Sequence, residues 1–257
     1  MIFDLVRATC VYSSLIAGIS LTNILIRWNN FRYGKLSDKE KLKINRNTYV
    51  STVSFFFNFL FWINIKPIGE RLDLEKSNYV MVANHTSYFD MFILTRLFHK
   101  NIKNYYNCQF IGMEKLFGYP IIGYVLQQIQ MIPIKFKPMK DEEKNKYDED
   151  SVQQLITRVN HSLEKKNSLI LFPEGRLNDN PKVMNQIRGG AYNFSKNNDV
   201  PIKIIGLKGV DKVWKKNGHP TGYGTISAKI FDAVYNFESV EEYRKTIRTT
   251  IEDYLKN

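Results

Sequence analysis

Tyr79-Val80-Met81-Val82-Ala83 is a short, wholly apolar run that ends on Asn84-His85, and Asp90 follows five residues after the histidine. A run of this length and composition predicts a short buried strand, followed by a turn and a helix over residues 88–97. Residues five apart on a regular helix point about 140° away from each other. His85 and Asp90 can therefore meet only if His85 precedes the helix and folds back over its first turn. A histidine held there by a carboxylate is a candidate general base, because the acid fixes the tautomer and stabilises the imidazolium. The alternative is a purely structural pair, with Asn84 or Ser87 capping the helix.

The chain around this stretch alternates. Strands are expected at 108–111, 130–136, 168–172, 201–207 and 225–234. Helical patterns lie at 114–127, broken at Gly118-Tyr119-Pro120, and at 190–196 and 240–255. Val152, Leu155, Ile156, Val159 and Leu163 recur at helical spacing. Residues 137–150 carry charges of both signs without apolar period and read as an exposed loop. Alternating strands and helices give the α/β class: a mixed, mostly parallel sheet covered by helices on both faces. Ligands of such sheets collect outside the carboxyl ends of the strands. Asn84-His85 ends one expected strand and Pro173-Glu174-Gly175-Arg176 follows another, so both sets can open onto one cleft.

Residues 8–26 and 47–65 contain no charge, and the second run holds Phe55, Phe56, Phe57, Phe59, Phe61 and Trp62. Both approach the length that crosses a bilayer, although several Ser, Thr and Asn dilute them. Arg7, Arg27, Arg32, Arg46, Lys66 and Arg71 flank both runs on every side. Uniformly basic flanks fit two helices that dip into one leaflet and return, rather than segments with a lysine/arginine bias to one side. A signal peptide and a pair of ordinary core helices are the other readings; Asp4 and the lack of a small-residue cleavage site weigh against the first. The expected organisation is a membrane-anchoring element over 1–66 and an α/β domain over 67–257. Formal net charge is +12, which suits an anionic partner such as a phospholipid surface, an acidic substrate or nucleic acid. The basic residues are spread along the chain without a nucleic-acid motif, so no nucleic-acid partner is expected. The two cysteines, Cys10 and Cys108, fit a reducing compartment, and His85, His99, His161 and His219 are too scattered for a metal site.

Asn84-His85-x-x-x-x-Asp90 resembles the first motif of the glycerolipid acyltransferases, the family of 1-acylglycerol-3-phosphate acyltransferases. Phe172-Pro173-Glu174-Gly175-Arg176 resembles the family's third motif, and Val200-Pro201-Ile202 the fourth. Arg188-Gly189-Gly190-Ala191 is similar to the basic-glycine helix start that precedes the fourth, and also reads as a plain helix entry. The resemblance covers about 67–209. Two departures stand out: no threonine separates Gly175 from Arg176, and Ile132-Pro133-Ile134-Lys135 carries a lysine where the second motif has an arginine. Met113-Glu114-Lys115-Leu116, with Pro120 and Gly123, resembles the segment before that second motif.

The resemblance implies transfer of a fatty acyl group from a thioester, acyl-CoA or acyl carrier protein, to the free hydroxyl of a lysophospholipid. The foremost acceptor is 1-acyl-sn-glycerol-3-phosphate, giving phosphatidic acid; another head group is the alternative. It implies direct attack by the acceptor without an acyl-enzyme, an N-terminal two-helix seat on the membrane and an active domain on the cytoplasmic side. The donor is a substrate, and no cofactor is expected. His85 and Asp90 are the catalytic candidates. Asn84, Glu174, Gly175, Arg176, Lys115 and Lys135 are the substrate-binding candidates, with the arginine fork matched to phosphate oxygens and the lysines also readable as solvated surface cations. A hydrolase lacks a nucleophile elbow of the Gly-x-Ser-x-Gly kind. A non-catalytic lipid-binding protein leaves the His–Asp pair without a purpose.

Overall fold

The computed structural model describes residues 2–136 and 148–256. The chain begins with α1 (Ile2–Arg32), α2 (Asp38–Phe56) and a 3-10 turn (Phe57–Phe59). There follow β1 (Ile63–Gly69), β2 (Leu72–Asp73), β3 (Val80–Ala83), α3 (Asp90–Asn101), β4 (Ile102–Lys103) and β5 (Cys108–Met113). A 3-10 turn (Glu114–Gly118) leads to α4 (Pro120–Gln128) and β6 (Ile132–Ile134). The rest comprises α5 (Glu149–Glu164), β7 (Ser168–Leu171), α6 (Gly190–Asn198), β8 (Ile202–Lys208), α7 (Val210–Val213), β9 (Gly224–Tyr235) and α8 (Val240–Lys256).

Seven strands form one sheet in the order β1-β9-β8-β3-β7-β5-β6, and β2 and β4 make a separate small pair. β8, β3, β7, β5 and β6 run parallel; β9 is antiparallel to β8, and β1 is parallel to β9. The mixed, mostly parallel α/β class expected from the sequence is the observed one. β3 lies in the middle, with Val80 opposite Leu169 on one side and Ile202 on the other.

Successive side chains on a strand point to opposite faces, and β3 separates the two cores in this way. Met81 and Ala83 join a cluster with Val50 and Val53 of α2, Leu94 and Leu97 of α3 and Val125 of α4. Val80 and Val82 join Val159 of α5, Phe194 of α6 and Ile247 and Ile251 of α8. An all-apolar run with no exposed face is what such a central parallel strand requires.

The expected helix over 47–65 is corrected. Its first residues belong to α2, which starts earlier on a Ser37 capping box: Glu40 N–H bonds the Ser37 hydroxyl, and the Glu40 carboxylate takes the Ser37 N–H. The helix ends at Phe56, and Ile63 to Gly69 pair with Gly224 to Ile230 as β1. Absence of charge therefore marked neither one continuous helix nor uniform burial, since Val53, Phe57 and Leu60 are buried while Phe55, Phe59 and Phe61 are exposed; the alternation of Ile63 and Ile65 with Asn64 and Lys66 carried the strand signal. The sequence division at 66 falls inside this strand. α2 is also tied into the domain by Arg46, whose Nε donates to Ile129 O at the C-cap of α4 and whose Nη1 donates to Tyr106 O. Burial lowers the pKa of that guanidinium to about 10.

α1 alone among the described helices is long and apolar enough to cross a membrane, and only 22% of its most apolar window is buried. The break at Tyr119-Pro120 falls where expected, with Pro120 opening α4. Of the expected charged loop, residues 137–147 lie outside the described residues; Asp148 caps α5 by accepting from Ser151 N–H.

Candidate active site

β3 ends by handing its chain to a turn held by one carboxylate oxygen. Asp90, the first residue of α3, is fully buried, and its Oδ2 accepts from Thr86 N–H at 2.7 Å and Ser87 N–H at 2.9 Å. The same oxygen lies 2.9 Å from His85 Nδ1. The histidine therefore does fold back over the first helical turn, as the five-residue spacing demands. With Nδ1–H donating to Asp90, the Nε2 lone pair is the free base position. Of the His85 side-chain surface, 20% remains exposed, so the ring is reachable. Its face stacks on Phe172, with centroids 3.9 Å apart and planes 8° from parallel. Phe172 is the residue that ends the β7 run, and its place beneath the imidazole could not be read from one dimension.

Ser87 is fully buried, and its hydroxyl donates to Trp214 O at 2.6 Å while accepting from Phe89 N–H. That geometry makes it a brace of the turn. Asn84 is buried as well, and its amide spans to β8: Nδ2 donates to Leu207 O and Oδ1 accepts from Leu207 N–H, both at 2.8 Å. The expected substrate-binding role of Asn84 meets an amide already engaged in tying β3 to β8.

The loop after β7 approaches from the neighbouring strand. Phe172 O accepts from Gly175 N–H at 3.0 Å, closing a turn in which Gly175 has φ +67, a conformation that favours glycine. The turn aims Glu174 inward. Glu174 is 2% exposed, and its Oε1 accepts from the His85 backbone N–H at 2.9 Å. Oε2 accepts from Asn178 Nδ2 at 2.9 Å and Asn185 N–H at 2.8 Å. Burial pushes the Glu174 carboxyl up from the ordinary range, and these N–H groups oppose that shift. His85 O in turn accepts from Asn178 N–H at 2.7 Å. Glu174 thus braces the histidine backbone, and the substrate-binding role expected for it meets a carboxylate whose two oxygens are already engaged.

Arg176 follows on the same turn and is half-buried. Arg188 joins the same loop, its backbone N–H donating to Pro173 O at 2.9 Å and its Nε to Glu174 O at 3.4 Å. Lys115 and Lys135 are exposed, just beyond the carboxyl ends of β5 and β6. They share the edge that carries His85, but β5 and β6 stand two and three strands away from β3, roughly 10 and 14 Å at ordinary strand spacing. The structure therefore brings His85, Asp90, Glu174 and Gly175 together, sets Arg176 beside them and places the two lysines farther along the same edge. Asn178 and Asn185, which complete the Glu174 cage, escaped the sequence reading because asparagines in a polar loop carry no periodic signal.

A mixed, mostly parallel sheet with a carboxylate-held histidine after its central strand and a Glu-Gly-Arg turn after the neighbouring strand defines an α/β protein with one candidate site at the carboxyl ends of its strands. The family model described as Acyltransferase matches residues 64–206, more than half of the chain, and the chain belongs to that family. Among curated relatives, the chloroplastic 1-acyl-sn-glycerol-3-phosphate acyltransferase LPAT1 of Arabidopsis thaliana is 25% identical over 217 residues, covering 84% of this chain and 54% of the relative. A 1-acyl-sn-glycerol-3-phosphate acyltransferase of Saccharomyces cerevisiae is 23% identical over 203 residues, covering 76% of this chain and 60% of the relative. The chain thus spans little more than half the length of these relatives. The crystal structure of the 1-acyl-sn-glycerophosphate acyltransferase PlsC from Thermotoga maritima shares the fold, with a TM-score of 0.71 at 17% identity, over 99% of this chain and 97% of that one.

Proposed function

We propose that this protein transfers a fatty acyl group from acyl-CoA or acyl carrier protein to the free hydroxyl of 1-acyl-sn-glycerol-3-phosphate, giving phosphatidic acid. The observation that carries the reading is the 2.9 Å contact of His85 Nδ1 with a fully buried Asp90 carboxylate on an accessible ring. The names of the matched relatives, both 1-acyl-sn-glycerol-3-phosphate acyltransferases, supply the acceptor. The acceptor hydroxyl attacks the thioester carbonyl as its proton passes to His85 Nε2, and Asp90 stabilises the resulting imidazolium. The C–S bond then breaks, and the leaving thiolate takes the proton back. Ser87 forms no acyl-enzyme in this scheme, consistent with its buried, engaged hydroxyl. Arg176, Lys115 and Lys135 supply cations along the edge where the acceptor phosphate would lie.

The chain works at a phospholipid surface; the cytoplasmic side for its α/β domain is what the family resemblance implies. Supporting the surface seat are the poorly buried apolar helix α1 and the exposure of Phe31, Phe55, Phe59 and Phe61. Replacing Phe31, Phe59 and Phe61 with serine should cut co-flotation with anionic phospholipid vesicles several-fold while leaving the thermal melt in place; undiminished flotation contradicts that seat.

The activity test supplies labelled acyl-CoA or acyl carrier protein with a panel of lysophospholipids, with His85→Ala as control. Labelled phosphatidic acid from 1-acyl-sn-glycerol-3-phosphate, absent in the variant, is the expected result. Product from another lysophospholipid alone would move the acceptor, and free fatty acid alone would make the protein a hydrolase.

A further inference from the structure

We propose that the C-terminal helix α8, which lies beyond the matched family segment 64–206, positions the His85 backbone through a chain of side-chain-to-backbone hydrogen bonds. Arg244, Arg248 and Glu252 are four residues apart, so they form one stripe along α8. That stripe lies against residues 184–187 of the loop that follows the Glu-Gly-Arg turn. Arg248 Nη1 donates to Met184 O at 2.6 Å, and Nη2 donates to Asn185 O at 2.9 Å. Glu252 Oε1 accepts from Met184 N–H at 2.9 Å and from Arg248 Nη1 at 3.0 Å. Arg244 Nε donates to Ile187 O at 3.1 Å.

These contacts fix the peptide that carries the Asn185 N–H. That N–H donates to Glu174 Oε2, and Glu174 Oε1 accepts the His85 N–H. The pathway from α8 to the His85 backbone therefore has three links, each a hydrogen bond of 2.9 Å or shorter: Arg248 to Asn185, Asn185 to Glu174 and Glu174 to His85. An ordinary exposed i,i+4 ion pair needs no such backbone partners and contributes a few tenths of a kcal/mol. Here the guanidinium grips two successive carbonyls, a geometry its planar fork suits and a lysine cannot reproduce. Apolar packing beside the stripe comes from Tyr243, Ile247 and Ile251, which share a core with Met184 and Ile187. The charged stripe sets the position of the peptide, and the apolar stripe holds the helix down.

As a role in catalysis this rests on the acyl-transfer reading of His85; as geometry it stands without it. The test therefore has two readouts on the full chain: steady-state kinetics, and amide hydrogen exchange of peptides covering residues 84–90 and 172–188. Arg248→Ala should lower kcat about tenfold, with KM for donor and acceptor within about twofold, since small misplacements of a catalytic group far exceed this cost. Exchange should rise in both peptides while the melting temperature stays that of a folded protein. Glu252→Ala should behave alike, whereas Glu252→Gln, whose amide oxygen still accepts the Met184 N–H, should recover most of the wild-type rate. Wild-type exchange at 84–90 in folded Arg248→Ala and Glu252→Ala would overturn the positioning role. So would a Glu252→Gln variant as impaired as Glu252→Ala. If the wild-type protein transfers no acyl group yet exchange at 84–90 rises in the variants, the acyl-transfer reading fails and the positioning stands.

Discussion

The two loops that meet at His85 are built in opposite ways. The one after β3 is local: a single Asp90 oxygen gathers His85 Nδ1, Thr86 N–H and Ser87 N–H, all within five residues. The one after β7 is long-range: Glu174 reaches across to His85 N–H and is itself caged by Asn178 and Asn185, with α8 fixing the latter. The side chain of the histidine is set by the first loop and its backbone by the second. On the acyl-transfer reading proposed above, an imidazole positioned from both ends has little freedom to leave the base position, which is how preorganisation lowers a barrier.

Breaking the local loop should have the larger effect. Asp90→Asn removes the charge that stabilises the imidazolium and lets the wrong tautomer form; we expect transfer to fall on the order of a thousandfold, measured as labelled phosphatidic acid per enzyme, with acceptor KM little changed. Glu174→Gln comes next. Its new amide group cannot accept from both His85 N–H and the Asn178–Asn185 pair, so kcat should drop roughly a hundredfold, and urea unfolding should show a loss of about 1.5–3 kcal/mol for hydrogen bonds to a buried charge. A Glu174→Gln variant that retains full rate would mean the second loop does not set the base at all.

Ser87→Ala sharpens the comparison from the other side. It deletes the hydroxyl that bonds Trp214 O and receives Phe89 N–H but leaves the Asp90 contacts, so stability should fall about 1 kcal/mol and activity should stay within a few-fold. A labelled acyl-Ser87 species on mass spectrometry would contradict this.

The smallest effect concerns pH. Burial raises the Glu174 pKa above its unfolded value, so between those two values the folded chain holds the extra proton. The stabilisation from that proton is present below the ordinary glutamate range and is lost as pH rises through the raised folded value. The difference in unfolding free energy between the wild type and Glu174→Gln should change with pH in that direction and flatten above it. A constant difference across the window would contradict the buried titration.

Legibility followed the same division. The β3 run, the His85–Asp90 spacing and the alternation of strands with helices are written in consecutive residues, so periodicity and spacing reported them. The α2–β1 region misled because an uncharged run occurs in helix and strand alike, and Ser37 with Glu40 and Ile63–Ile65 carried the finer signals of cap and alternation. Asn84 and Glu174 were visible as motif members, but their engagement with Leu207 and with His85 N–H depends on partners 123 and 89 residues away.

By itself the sequence determined β3 and β5 to β9, the turn chemistry and the residue types at the sheet edge, because these depend on neighbours within a few positions; β1 at the far edge was not among them. Only the tertiary structure decided which of those residues touch: the ring of Phe172 under His85, the cage around Glu174 and the grip of α8 on residues 184–187. Hydrogen bonds between distant segments are fixed by how the layers pack, and no local pattern of residues encodes that packing.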